Sequence, residues 1–131
     1  MLENRKALSE YRLQTAYEKI ESAKLLLDDE KYKDAANRSY YAMFHAVRAL
    51  FALEGVDFKK HSGVISYFRQ KYIATEIFSK EMSVMIGDAF LVRNQSDYED
   101  FYVVSKTQAI EQYENAKAFC DEIARYLEDT E

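Results

Sequence analysis

Arginine, asparagine, aspartate and tyrosine stand together in the segment Arg93-Asn94-Gln95-Ser96-Asp97-Tyr98. A guanidinium can grip a phosphate with two parallel hydrogen bonds, so this segment is a candidate anion site. Arg93 follows Phe90 by three residues, and on a helix it continues that residue's apolar stripe. A cation on such a face needs a partner, because burying an unpaired charge is costly. Asp97, four residues on, can close an ordinary ion pair that ends the helix. Tyrosine hydroxyls, a ligand phosphate or a second copy of the chain are the other partners open to it. Beside Asn94, Asp97 and Tyr98, a phosphate contact would be screened less than at an open surface.

A second constellation lies earlier. Arg38, Tyr41, His45 and Arg48 step by three, four and three residues, so on a helix they project from one side. Histidine's pKa near neutrality lets it act as an acid or a base when a second group lies within reach. His45 is flanked by Phe44 and Val47, which is equally the setting of a satisfied, partly buried core residue. His61 is expected to be solvated or to cap a helix. Lys59, Lys60, His61, Arg69 and Lys71 form the most basic stretch, either an anion site or a solvated helix face. No carboxylate cluster completes a metal site around the two histidines, and no metal or other cofactor is called for. Tyr98 and Tyr102 fall off the helical stripes and are expected to be exposed, where aromatic rings can stack on bases.

The elements that must position these residues read as helices. Leu13, Ala16, Tyr17, Ile20, Ala23 and Leu27 recur at three- and four-residue steps, predicting a first helix over about 4–27. A second, over about 32–54, ends at Gly55, a natural residue for the left-handed C′ position. It is apolar on two faces, Tyr40/Met43/Phe44/Val47/Leu50/Phe51 and Ala35/Ala42/Ala46/Ala49/Leu53, so it belongs in the middle of the molecule. A third is expected over about 61–72. Ser79 is the expected N-cap of a fourth, with Met82, Met85, Ile86, Ala89 and Phe90 inward and an end near 94–96. Residues 97–104 then form a loop or a helical turn. Ser105 or Thr107 caps the last helix, with Ala109, Tyr113, Ala116, Cys120, Ile123, Ala124 and Leu127 on one stripe.

The expected fold is all-α, an up-and-down bundle of about five helices in one domain over 1–131. Composition agrees. The chain has 131 residues with no proline and only three glycines, too little turn chemistry for a sheet protein. One cysteine, Cys120, excludes an intrachain disulfide and a thiolate-rich metal site. The N-terminus has no apolar core of a signal peptide and no apolar run spans a bilayer, so a cytoplasmic protein without a membrane partner is expected. A net charge of −5 disfavours non-specific nucleic-acid binding by the whole surface but leaves room for a local basic patch.

Three separated motifs occur in order: R-S-Y-Y-A-M-F-H-A from Arg38, K-H-S-G-V from Lys60, and R-N-Q-S-D-Y from Arg93. With the first helix they resemble the HEPN family (higher eukaryotes and prokaryotes nucleotide-binding domains) over nearly the whole chain. The resemblance implies a compact helical bundle that commonly dimerises. It also implies pairing with a small nucleotidyltransferase in toxin–antitoxin-like operons. Many members are metal-independent ribonucleases whose motif is Arg, four to six residues, then His. Here Tyr98 stands five positions after Arg93, and no histidine follows His61. The departure removes the expected general acid or base. The leading expectation is therefore a nucleotide- or RNA-phosphate-binding module, weakly catalytic or non-catalytic, acting with a nucleotidyltransferase-like partner. Its ligand-binding residues would be Arg93, Asn94, Asp97, Tyr98, Arg38, Tyr41 and His45. The alternatives are a ribonuclease in which Arg93 stabilises the phosphorane charge while Tyr98 or His45 replaces the missing histidine, and a structural helical adaptor. A homodimer is expected, because the fourth helix and its following loop carry Met, Phe and Tyr residues that a monomer would show to water.

Overall fold

The computed structural model describes residues 2–130. The described residues form five α-helices: α1 (Leu2–Asp28), α2 (Tyr32–Glu54), α3 (His61–Phe68), α4 (Lys80–Tyr98) and α5 (Lys106–Asp129). No strand occurs among them. The fold is the all-α bundle that the sequence predicts.

The centre is α2, which packs against each of the other four helices. Its two apolar faces are the cause. Ala35, Ala42, Ala46 and Ala49 are fully buried and let neighbouring backbones approach, while Tyr40, Met43, Val47, Leu50 and Phe51 fill the space between helices. Gly55 ends α2 in the left-handed conformation at φ 76°, and its N–H bonds back to Phe51 and Ala52. A short turn pairs α1 with α2 as an antiparallel hairpin. Ser9 donates to the carbonyl of Ala49 at 2.8 Å and Arg12 to that of Arg48 at 2.9 Å, fixing the register of the two helices. Helix α5 lies along both, with the Tyr17 hydroxyl donating to Asp121 at 2.5 Å.

Helix α4 runs antiparallel to α2, and α3 bridges the two. The α-helical hydrogen bonds of α3 stop at Phe68, and residues 69–73 continue as a π-helical turn, so the predicted helix over 61–72 is split in two. The turn brings Tyr72 into the core, where its hydroxyl and that of Tyr67 both donate to the Glu54 carboxylate at the end of α2. Helix α5 begins with a full capping box, Ser105 Oγ accepting from Gln108 N–H and the Gln108 side chain accepting from Ser105 N–H. Ser79 is the N-cap of α4, as its residue type predicts, although its side chain makes no cap bond.

Two further expectations are corrected. Helix α4 does not end near 94–96 but continues to Tyr98, because the Arg93–Asp97 pair and the backbone bond from Glu99 N–H to Gln95 carry it one turn further. Tyr102 is not exposed. With Leu27 and Tyr32 it covers a small second cluster of Ala36, Val92, Val104 and Ala109, which fastens the α4–α5 loop to the bundle.

Candidate functional site

Arg93 leaves α4 toward α2 and is half-buried, its side chain 19% exposed. Nη2 donates to the Tyr41 hydroxyl at 3.1 Å and Nη1 to the Asn94 side-chain oxygen at 3.1 Å. The guanidinium carbon sits 5.7 Å from the Tyr41 ring centroid and 6.0 Å from that of Tyr40, so two π faces hold the cation from below. Asp97 approaches Nε at 3.0 Å as the i,i+4 reading required, but Nε–H makes no aligned hydrogen bond. Asp97 therefore pairs with the buried Nε as a nearby charge, and Nη1 and Nη2 each keep a second N–H beyond their bonds to Asn94 and Tyr41. The Tyr41 hydroxyl accepts from Arg93 and keeps its own proton available.

The neighbouring aromatic cluster is built from α2, α3 and α4. The Tyr40 side chain is fully buried, and its hydroxyl lies 2.7 Å from Nδ1 of His61. Burial raises the Tyr40 pKa, ahead of a counteracting pull from Arg93, so the phenol stays protonated and donates. Nδ1 of neutral His61 then accepts, which puts its proton on Nε2. The imidazole stacks on Phe44 at 4.2 Å and 17° and meets Phe90 from α4. Burial first, then Arg93 and Arg48, hold His61 below the usual histidine range. His61 is thus not the solvated or capping residue that its place at the start of α3 predicted. Sequence reasoning missed it because its contacts come from helices distant in sequence. The Tyr40-Tyr41…Phe44 spacing was the available signal that an aromatic shelf awaited a partner.

The remaining predicted residues spread along the same face of α2. Tyr41 is brought to Arg93. Arg38 donates to its neighbour Asn37 at 2.8 Å and makes no bond to Arg93. His45 lies 6.3 Å from Tyr41 between ring centroids and turns toward α1. Its surroundings are cationic: burial first, then Arg48, Lys19, Arg12 and His61, lower its pKa to about 4. Asp57, from the loop after α2, accepts from both Arg48 at 2.6 Å and Arg12 at 3.1 Å. Tyr98 is 79% exposed. Five residues at 100° per residue turn it about 140° around α4 from Arg93, so within one chain the two face different ways. The basic stretch does not form one patch. Arg69 crosses to Ser83 at 2.8 Å and Lys71 turns toward Glu54, while Lys59 and Lys60 stay beside His61.

An acidic protein therefore carries one predominantly cationic face, in which the four cations Arg12, Lys19, Arg48 and Arg93, beside two neutral histidines, outnumber the two carboxylates Asp57 and Asp97. Among the described residues, no group of three or more His, Cys, Asp or Glu is placed to hold a metal ion. The chemistry open to this face is anion binding by donors set on an aromatic shelf.

Residues 9–127 match the HEPN domain model, and the chain belongs to the HEPN family. Relatives extend over most of its length. A UPF0332 protein of Thermotoga maritima is 32% identical over 98% of this chain and 97% of its own. A protein of Methanocaldococcus jannaschii, named "Putative toxin", is 30% identical over 88% of this chain and 78% of its own. A UPF0332 protein of Archaeoglobus fulgidus is 31% identical over 84% and 87%. No helix among the described residues is long and apolar enough to cross a membrane.

Proposed function

We propose that this HEPN domain binds nucleotide or RNA phosphates at Arg93, as the HEPN half of a toxin–antitoxin-like pair. Its other half would be a small nucleotidyltransferase-like protein. The observation that carries the binding reading is the state of Arg93. It is a half-buried guanidinium, fixed by the Tyr41 hydroxyl and two tyrosine rings, whose Nη1 and Nη2 each carry a second N–H beyond the bonds to Asn94 and Tyr41. Asn94 adjoins the guanidinium, the free proton of Tyr41 adds a donor, and Arg38 supplies a further charge from α2. Two relatives whose names carry the word toxin support the paired system, as does membership of the family.

The module is weakly catalytic or non-catalytic on this reading. Tyr98, the residue at the motif histidine's place, faces away from Arg93, and His45 looks toward α1. Purified protein is expected to leave single-stranded RNA largely intact. Robust cleavage, lost in Arg93→Ala and persisting with metal chelated, would establish the ribonuclease instead.

Calorimetric titration with AMP and a short RNA tests the site. Losing one charged hydrogen-bond partner costs about 1.5–3 kcal/mol, so Arg93→Ala should weaken binding roughly tenfold or more. Lys59→Ala should change the AMP affinity much less and mainly alter its salt dependence. Equal affinities for the parent and Arg93→Ala, with a lower melting temperature in that mutant, would return Arg93 to a structural ion pair.

A further inference from the structure

Beside the Arg93 site lies a separate open groove of about 550 Å³, lined by Phe44, Arg48, Asp57, Phe58, Lys59 and His61. We propose that this groove is a second phosphate subsite, so that the ligand of the face carries phosphates at both ends of one nucleoside. The inference rests on the phosphate reading of Arg93 and extends it.

The geometry sets the spacing. Arg93 is anchored on Tyr41, and Arg48 leaves the same helix seven residues later, which is about 10 Å along the axis at 1.5 Å per residue. A single phosphate cannot bridge that distance, and one nucleotide unit with a phosphate at each end can. The ground between the two arginines is aromatic. His61 stacks on Phe44, and the Arg48 guanidinium carbon lies 5.9 Å from the Phe44 centroid. Phe58 is 39% exposed at the groove, a face on which a base can stack. Nδ1 of His61 is engaged by Tyr40, so the neutral ring has only Nε2–H left to donate.

The groove is also charged in the right sense. Arg12 and Arg48 share the single carboxylate of Asp57, leaving that trio with one net positive charge, and exposed Lys59 adds another. Asp57 holds Arg48 through two hydrogen bonds, at 3.2 and 2.6 Å, in the manner a phosphate would. An incoming phosphate competes with that carboxylate, so Asp57 limits the affinity of the second subsite.

The test compares AMP, adenosine 3′,5′-bisphosphate and a single-stranded oligoribonucleotide of three residues by calorimetry. The parent should bind the bisphosphate at least tenfold more tightly than AMP. Arg48→Gln should bring that ratio close to one while leaving AMP affinity within twofold. Lys59→Ala, which disturbs no ion pair, should reduce the ratio and flatten the salt dependence of bisphosphate binding more than that of AMP. Asp57→Asn should raise it. Arg93→Ala should weaken all ligands. The trinucleotide separates polymer from small molecule: tighter binding than the bisphosphate assigns the face to single-stranded RNA, and weaker binding assigns it to a free nucleoside bisphosphate. Equal affinity of the parent for AMP and the bisphosphate, with AMP still dependent on Arg93, would overturn the second subsite and leave the first. A ratio unchanged in both Arg48→Gln and Lys59→Ala would also overturn it. No binding of any ligand by the folded parent would overturn both.

Discussion

His45 is partly buried beside cations contributed by two helices, Arg12 and Lys19 from α1 and Arg48 from α2, with His61 at the start of α3. Burial first, and these neighbours next, weaken the binding of its proton in the folded chain, with a pKa of about 4 against about 6.5 in the unfolded chain. Between those values the unfolded state binds more protons. Folding stability consequently falls as pH drops from 6.5 toward 4, and the contribution is fully present above 6.5. Partial exposure reduces its size, and a loss of about 1–3 kcal/mol across that window is expected. In His45→Gln this limb disappears. Urea melts at pH 7.5 and pH 4.5 should show the variant losing less stability than the parent between the two. An equal loss in both would mean that solvent screens His45 from its cationic neighbours. The same residue marks a limit of sequence reading. The step of three and four along Arg38, Tyr41, His45 and Arg48 places them on one side of a helix, as found. Which neighbour each one meets is decided by α1, α3 and α4, and Tyr41 alone of the four reaches Arg93.

At the scale of elements, periodicity carried nearly all of the helix assignment. The bounds of α2 follow from its two apolar faces and from Gly55, and of the two caps open at the start of α5, Ser105 and Thr107, Ser105 is the one used. The π-helical turn after α3 left no such trace. Its cause is tertiary, since the widened turn carries Tyr72 to the Glu54 carboxylate on another helix. This carboxylate also receives the Tyr67 hydroxyl at 2.9 Å and faces Lys71 at 3.9 Å, so it ties the end of α2 to α3 and the turn that follows. Removing it leaves the hydroxyl of buried Tyr72 without its acceptor. An unsatisfied buried group of that kind costs about 1–3 kcal/mol. Glu54→Ala should therefore lower the melting temperature by several degrees, whereas Glu54→Gln, which keeps an acceptor oxygen, should lower it less. Identical melting of Glu54→Ala and the parent would show that water replaces the carboxylate at no cost. Burial raises the Tyr72 pKa, followed by the bond to Glu54, so the phenol remains a donor throughout the neutral range.

At the scale of the molecule, an acidic chain gathers Arg12, Lys19, Arg48 and Arg93 on one face built from α1, α2 and α4, while apolar side chains stand exposed along α4 and the loop after it. Leu91 is 56%, Tyr98 79%, Phe101 96% and Val103 78% exposed. Exposed apolar groups grouped in this way are unusual on a monomer and common where a second copy packs. We expect a homodimer, with light scattering at tens of micromolar giving twice the 15.4 kDa chain mass. Phe101→Asp should shift that mass toward the monomer with little change in melting, since Phe101 touches almost nothing within the chain. A monomer mass for the parent would exclude the dimer. The surface was legible as a surplus of Met, Phe and Tyr in the fourth helix and its loop. The partial burial of Tyr102 was not, because Leu27, Tyr32 and Ala36, far away in sequence, meet it in the second cluster.

The account turns on whether the Arg93 guanidinium meets a phosphate, and side-chain NMR of the arginines reads that contact at the atom concerned. The Nε–Hε resonances of Arg93 and Arg125 are followed while AMP is added at low and at moderate salt. Arg125 is an exposed arginine paired with Glu122 on α5, remote from the cationic face, and serves as the internal control. The account predicts a saturable shift of the Arg93 resonance whose midpoint equals the calorimetric dissociation constant, and a stationary Arg125. An Arg93 resonance that stays in place while AMP binds, or that moves only in step with Arg125, would contradict it.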